Sequence, residues 1–210
     1  MQTIVIAGQK GGSGKTTVTV HLAVAAERAG HGPTVVIDTD PQKTLTTWWR
    51  ARESDIPKLA QVSVRDLPAK LEALEEELGF AYCFIDTAPA LSAQNRQVLG
   101  LADLVVIPAR PSPADLWVIG RTLDLVGDTP FVFALTQAKS TARITMQSID
   151  ALSEHGHVLG SVIHDRVDYA AAMTDGRTAI ELRPRGPAAL ESVDLWRLAK
   201  ERLGEIARSR

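Results

Sequence analysis

Gly8-Gln9-Lys10-Gly11-Gly12-Ser13-Gly14-Lys15-Thr16 leaves an apolar run, Thr3-Ile4-Val5-Ile6-Ala7, and opens a segment of helical pattern from Lys15 to Ala29. A glycine-rich turn ending in Gly-Lys-Thr between a strand and a helix is a phosphate loop, G-x-x-x-x-G-K-[ST]. Its glycines reach backbone angles closed to other residues, so successive N–H groups can face one anion, and the helix start adds its own free N–H groups and dipole. Gly11, Gly12, Ser13, Gly14, Lys15, Thr16 and Thr17 are therefore the expected nucleotide-binding residues, with Lys15 along the β- and γ-phosphates and the Thr16 hydroxyl at one Mg²⁺ position.

Outward from that loop, short β-rich runs alternate with helical patterns. Thr3 to Ala7, Thr34 to Ile37, Tyr82 to Ile85, Leu104 to Ile107, Phe131 to Leu135 and Val158 to Ile163 read as strands. Several are apolar on both faces, as parallel strands covered by helices on each side must be. Lys15 to Ala29, Leu67 to Leu78, Pro113 to Val126 and Ala142 to His155 read as helices. The alternation predicts an α/β fold, a doubly wound, mostly parallel sheet with helices on both faces and ligands beyond the carboxyl ends of its strands. No repeat or low-complexity linker divides the chain, so residues 1–210 read as a single domain.

The 210 residues are 45% hydrophobic and 23% charged, enough to build a core without disulfides or a structural metal. Cys83 is the single cysteine, which excludes a CxxC pair and fits a small core residue inside a strand. The N-terminus lacks the basic start and cleavage site of a signal peptide, and charges or glycines interrupt every apolar run short of the roughly 18 residues of a membrane span. A cytoplasmic protein, soluble or at most peripheral, is expected. The net charge of −2 is uneven, because residues 183–210 are basic and the remainder is acidic.

Two aspartate motifs stand at the ends of later strands. Val35-Val36-Ile37-Asp38-Thr39-Asp40-Pro41-Gln42 places two carboxylates after the second strand, where an Asp-Pro pair can also cap a turn. Tyr82-Cys83-Phe84-Ile85-Asp86-Thr87-Ala88-Pro89 ends another apolar strand in aspartate. In Ile107-Pro108-Ala109-Arg110-Pro111-Ser112-Pro113-Ala114-Asp115, Ser112 is placed as a helix N-cap, Pro113 at the first helical position and Asp115 near the third.

With Lys10 at its head, the loop resembles the deviant Walker A signature of the ParA/MinD family of P-loop ATPases, and the four segments occur in that family's order. The resemblance is closest to small ParA-type plasmid partition ATPases that lack an N-terminal helix-turn-helix, for which a loop beginning at residue 8 leaves no room. It implies that ATP closes two subunits into a sandwich in which Lys10 crosses to the partner's phosphates, by the logic of an arginine finger. It further implies that Asp40 orients the attacking water, that Asp38 supports the Mg²⁺ shell and the loop, and that Asp86 holds a water on Mg²⁺. Catalysis would then rest on Lys10, Lys15 and Asp40, and metal binding on Thr16, Asp38 and Asp86. Adenine would be met near Thr136-Gln137 and Arg183-Pro184, and the proline segment would approach the partner subunit. Two positions depart from the family pattern. Gly8 stands where Asn is frequent, and Ala88 replaces the commoner first proline after the Walker B aspartate.

The same resemblance implies a homodimer with ATP that binds DNA without sequence preference, lets go with ADP, and partitions plasmid or chromosome DNA with a centromere-binding adaptor while associated with the nucleoid. Such binding needs clustered cations. Candidates are Arg183, Arg185, Arg197, Lys200, Arg202, Arg208 and Arg210, with Arg143 and Arg166; the interleaved Glu191, Asp194, Glu201 and Glu205 describe a solvated terminal helix equally well. Leu195, Leu198, Ala199, Leu203 and Ile206 recur at helical spacing beside Trp196, a stripe that can lie on anionic lipid, as in MinD-like membrane cycling, and more often packs on its own sheet. Trp48 and Trp49 are open between core and partner surface. A ParA-like ATPase positioning a protein cargo is the remaining alternative. The single cysteine argues against an iron–sulfur reductase of the same superfamily, since one cysteine per subunit cannot supply the two thiolates each subunit would give a shared four-cysteine cluster.

Overall fold

Ile4, Val36, Phe84 and Val132 are fully buried in one apolar cluster and Val5, Ile37, Ile85 and Phe133 in another. That division is the period of two that a strand imposes on its side chains. In the computed structural model, which describes residues 1–90, 92–139 and 143–209, these residues lie on six strands. The strands are β1 (Gln2–Ile6), β2 (Thr34–Asp38), β3 (Lys58–Ala60), β4 (Tyr82–Asp86), β5 (Leu104–Ala109) and β6 (Phe131–Leu135), all parallel, in the order β3-β2-β4-β1-β5-β6.

Helices cover both faces. Over the first cluster lie α1 (Lys15–Arg28), α2 (Thr44–Arg50), α8 (Val167–Met173), α9 (Ala179–Leu182) and α10 (Pro187–Ser209). Over the second lie α3 (Leu67–Glu76), α4 (Ala93–Leu99), α6 (Ile119–Val126) and α7 (Arg143–Ser153), with the short α5 (Pro113–Leu116) at its rim. The expected doubly wound sheet is thus present. α1 is buried almost all round from Val18 to Ala26, because it is sandwiched between the sheet and α10.

α10 spends its apolar stripe on this packing. Leu195, Trp196, Ala199 and Leu203 are buried, and Leu198 and Ile206 pack half-buried against the same cluster. Trp196 meets Tyr82 edge-on at 4.9 Å and Phe84 at 5.7 Å, geometries in which a ring edge faces a π cloud. The stripe is therefore core rather than a lipid-facing surface. Trp48 is likewise core, its Nε1 donating to the Arg177 carbonyl at 2.9 Å, and half-buried Trp49 donates to the Pro57 carbonyl at 2.7 Å. Cys83 is fully buried in β4, and burial pushes its thiol well up, away from any reactive thiolate.

Two expected elements come out differently. Val158 to Ile163 is no regular strand: it touches β6 through a bridge at Val158, and Leu159 N donates to Phe133 O, but the ladder then breaks. Ser161 turns its hydroxyl to the Glu191 carbonyl of α10 at 3.0 Å, and the chain rejoins the sheet only where Ile163 N meets Leu135 O. The expected helix from Pro113 to Val126 is two helices. Its first turn closes on a 3₁₀ bond, Val118 N to Asp115 O at 3.3 Å, while Arg110 ties Asp115 back toward the end of β5. Ser112 occupies the N-cap position but makes no side-chain capping bond. The expected helix from Ala142 appears as α7; Ala142 itself lies outside the described residues, as does Arg210.

Candidate functional site

β2, β4 and β1 are neighbours, so the loops leaving their carboxyl ends meet above one edge of the sheet. Register makes this specific: Asp38 pairs with Asp86, and Asp86 with Ile6, the last residue of β1 before the glycine loop. Thr87 Oγ1 donates to Ile6 O at 2.9 Å, and Thr39 donates to Asp86 O through both N and Oγ1, at 3.0 and 2.8 Å. These bonds hold the three strand ends together.

The loop needs glycine at two places. Gly12 has φ 70° and Gly14 φ 90°, the left-handed region that side chains resist. A Cβ on Gly11 or Gly12 would meet nothing within 4 Å, so there is space over the loop for a ligand. Lys15, 7% exposed at the start of α1, arches back so that Nζ donates to the Lys10 carbonyl at 3.0 Å. Burial lowers its pKa, against the opposing charges of Asp86 and Asp40. The Thr16 hydroxyl donates to Asp86 Oδ2 at 2.6 Å. Asp86 is almost fully buried, and that burial raises it to about 7; Asp38 and Asp40 push the same way, while the Thr16 bond and Lys15 oppose.

Asp38 and Asp40 sit on the adjoining loop in different ways. Asp38 is buried and organises the loop: Oδ2 accepts from Thr46 N and Oγ1 at 2.9 and 2.8 Å, and Oδ1 from Asp40 N at 3.1 Å. Asp40 is half-buried, with Oδ1 accepting from Gln42 N at 2.9 Å in a local turn. Lys43, at φ 54°, reaches back to the Asp38 carbonyl at 2.7 Å. Lys10 is half-buried at the loop's mouth, with Nζ 3.5 Å from the Ala114 carbonyl in α5. The structure thus brings Lys10, Lys15, Thr16, Asp38, Asp40 and Asp86 to one place.

Beside Gly14 and Thr17 a cavity of about 200 Å³ opens between α1, the loop after β6 and α8. Thr136 and Gln137 form one wall and are fastened to the glycine loop: Thr136 Oγ1 donates to Ser13 O at 2.8 Å and Gln137 Nε2 to Gly12 O at 2.7 Å. His164, Arg166, Tyr169 and Met173 form the other wall; of these the sequence singled out only Arg166, and that as a candidate cation for DNA. Arg183 is outside this wall, its guanidinium 3.4 Å from Asp168. Nothing in the sequence marked this wall, because the break in the edge segment before it goes with a tertiary bond from Ser161 to α10.

The donor set suits a phosphate chain and Mg²⁺. The turn of the glycine loop and the Lys15 ammonium offer donors to an anion, and Ser13 Oγ is buried without a partner among the described residues. No group of three or more His, Cys, Asp or Glu side chains among the described residues could hold a metal unaided. Thr16 and Asp86 are the groups that would hold Mg²⁺, which typically completes its shell with phosphate oxygens and water.

Several of the cations expected to face DNA are engaged on their own surface. Arg197 pairs with Asp194 and Glu201, Arg202 with Glu205, Arg166 with Glu191, and Lys200 Nζ lies 3.0 Å from His31 Nε2. The exposed pairs of Arg197 and Arg202 are worth at most about 1 kcal/mol each, whereas Glu191 beside Arg166 is largely buried.

The sequence matches the CobQ/CobB/MinD/ParA nucleotide binding domain family over residues 4–179. The chain belongs to that family. Maintenance of carboxysome distribution protein A from Halothiobacillus neapolitanus is 26% identical over 205 residues, covering 91% of this chain and 93% of that protein. The structure of apo McdA from Cyanthece superposes with a TM-score of 0.78 at 22% identity, covering 97% of this chain and 100% of that one. MinD from Pyrococcus horikoshii, complexed with Mg-ADP, superposes with a TM-score of 0.77 at 17% identity, covering 98% of each. The molecule is a ParA/MinD-type ATPase domain, and its fold is theirs.

Proposed function

We propose that the chain hydrolyses ATP slowly as an ATP-closed homodimer, holds DNA non-specifically through that dimer, and positions a cargo along the nucleoid with the help of an adaptor protein. The observation that supports this reading best is the convergence of Lys10, Lys15, the Thr16–Asp86 pair and Asp40 on one phosphate loop. Mg²⁺, when bound, supplies charge compensation to the phosphates. Lys15 holds the β- and γ-phosphates, and Ser13 Oγ gains the partner it lacks. Asp38 keeps the adjoining loop in shape, so that Asp40 can hold the attacking water in line. Lys10 leaves the Ala114 carbonyl and completes the charge around the partner's phosphates, which makes hydrolysis conditional on association. ATP, ADP and Mg²⁺ are the ligands of this cycle.

The relative that maintains carboxysome distribution matches 91% of this chain and favours a protein body as the cargo. Plasmid or chromosome DNA with a centromere-binding adaptor, the expectation from the motifs alone, is the second reading. Light scattering tests the shared core of both. ATP with Mg²⁺ should double the mass of the wild type and leave Lys10→Ala a monomer, and Asp40→Ala should persist as a DNA-retarding dimer. A wild type that stays monomeric with ATP and Mg²⁺ defeats the proposal.

A further inference from the structure

The wall formed by His164, Arg166 and Tyr169 has little secondary structure to hold it. The edge segment before it has left the sheet at Ser161, and α8 begins only at Val167. Backbone support is one isolated bridge, Ala138 to His164, made by Ala138 N on Ile163 O at 3.2 Å and Asp165 N on Ala138 O at 2.9 Å, next to the Ile163 N bond to Leu135 O at 2.9 Å. The side chains are fixed instead by a residue that does not line the cavity, Glu191 in the second turn of α10.

Glu191 is 13% exposed and gathers all three. Oε1 accepts from His164 Nδ1 at 2.8 Å and from Arg166 Nε and NH2 at 2.8 and 2.7 Å. Oε2 accepts from His164 N at 3.2 Å and lies 3.1 Å from the Tyr169 hydroxyl, which shares its one proton with the Ala188 carbonyl at 3.0 Å. Ser161 Oγ secures the Glu191 backbone in turn, at 3.0 Å. Burial raises the Glu191 pKa, but the donors around it outweigh that and hold the carboxyl below its usual range. An acceptor serving an imidazole, a guanidinium and a backbone N–H at once fixes all of their orientations, as the outer partners of a ligand site do.

We propose that Glu191 is a positioning residue for the base side of the nucleotide site: from α10 it sets the wall of His164, Arg166 and Tyr169 against which the nucleoside base packs. This rests on the reading above that the glycine loop holds the triphosphate, with the neighbouring cavity taking the base. Glutamine is nearly isosteric but carries an NH₂ where two of these donors need an acceptor, so Glu191→Gln frees the wall without emptying the space.

The experiment compares ATP with inorganic tripolyphosphate, each with Mg²⁺, by calorimetry on the full chain, with melting temperature measured alongside. Glu191→Gln should weaken ATP about tenfold, the scale of a lost charge-assisted network, and leave tripolyphosphate within twofold. Tyr169→Phe should show the same selectivity at a smaller size. In hydrogen exchange, ATP but not tripolyphosphate should protect the first turns of α10 in the wild type, and the protection should vanish in Glu191→Gln. Equal losses for the two ligands, or an ATP affinity unchanged by Glu191→Gln, overturn the positioning role. A wild type that binds ATP no more tightly than tripolyphosphate overturns the base-pocket reading itself, and with it the role of Glu191.

Discussion

The two sides of the proposed nucleotide site, one for phosphate and one for the base, are built on opposite plans. The phosphate side comes from nine consecutive residues, Gly8 to Thr16, backed by the ends of β2 and β4 in fixed register. The base side comes from Thr136-Gln137, a broken edge segment, one turn of α8 and a carboxylate on α10. On the first side backbone angles and strand pairing do the positioning; on the second, side-chain hydrogen bonds reach across the fold. The lesson is that only the first is protected by secondary structure. It should fail abruptly and for every phosphate ligand, while the second should fail gradually and selectively.

The largest effect should come from Lys15→Ala, which removes the cation from a water-poor site and should cost on the order of 1,000-fold in affinity for ATP and tripolyphosphate alike. Calorimetry checks it, and a tripolyphosphate affinity that survives would break the comparison at its firmer end. Next comes acid stability, through His21 beneath both sides. Its Nδ1 lies 2.7 Å from Thr17 O, and its Nε2 accepts from Ala179 N at 2.9 Å, so the ring is a neutral donor–acceptor bridge. Burial lowers its pKa from 6.5 to about 4. The contribution is whole above pH 6.5. As pH falls toward 4 the unfolded chain takes up a proton that the folded chain refuses, and about 3 kcal/mol is lost. Urea unfolding of wild type and His21→Gln at pH 7.5 and pH 4.5 should show the loss as the difference between the two proteins, because the opposing contribution of Asp86 is common to both.

Asp86 has the opposite sign. With its pKa raised to about 7, the folded chain without ligand keeps a proton that the unfolded chain gives up, so this stabilisation belongs to low pH and is lost as pH rises through 7. Mg²⁺ needs the ionised form, so Mg²⁺-dependent nucleotide affinity should rise about tenfold between pH 6 and pH 7.5. A flat profile would mean that the phosphate side does not exchange a proton for the metal. The smallest effect is expected from Gln137→Ala, which removes the bond to Gly12 O joining the two sides. About a threefold loss for ATP and less for tripolyphosphate would place that bond with the base side.

The same contrast explains what the sequence disclosed. The strands carrying the site were legible because Ile4-Val5-Ile6, Val35-Val36-Ile37 and Cys83-Phe84-Ile85 are buried on both faces and so are apolar without interruption. The loop was legible because its chemistry is contiguous. β3 was not, since Lys58-Leu59-Ala60 is three residues at an edge with no pattern long enough to read. Nor was the break after Leu159, where a side-chain bond from Ser161 to α10 overrides β propensity. Glu191 was read as one acid among the cations of a solvated helix; only the fold puts His164, Arg166 and Tyr169 around it.

The rims of the sheet carry a further consequence. At one rim β3 is three residues long, entered through Pro57, with exposed Lys58 at its start. At the other, β6 is shielded where Leu159 and Ile163 pair with its carbonyls and the intervening residues turn away to α10. Neither border offers the long, flat row of free backbone groups on which another sheet could zip. Among the described residues, lateral β-addition thereby finds no ready template at either border.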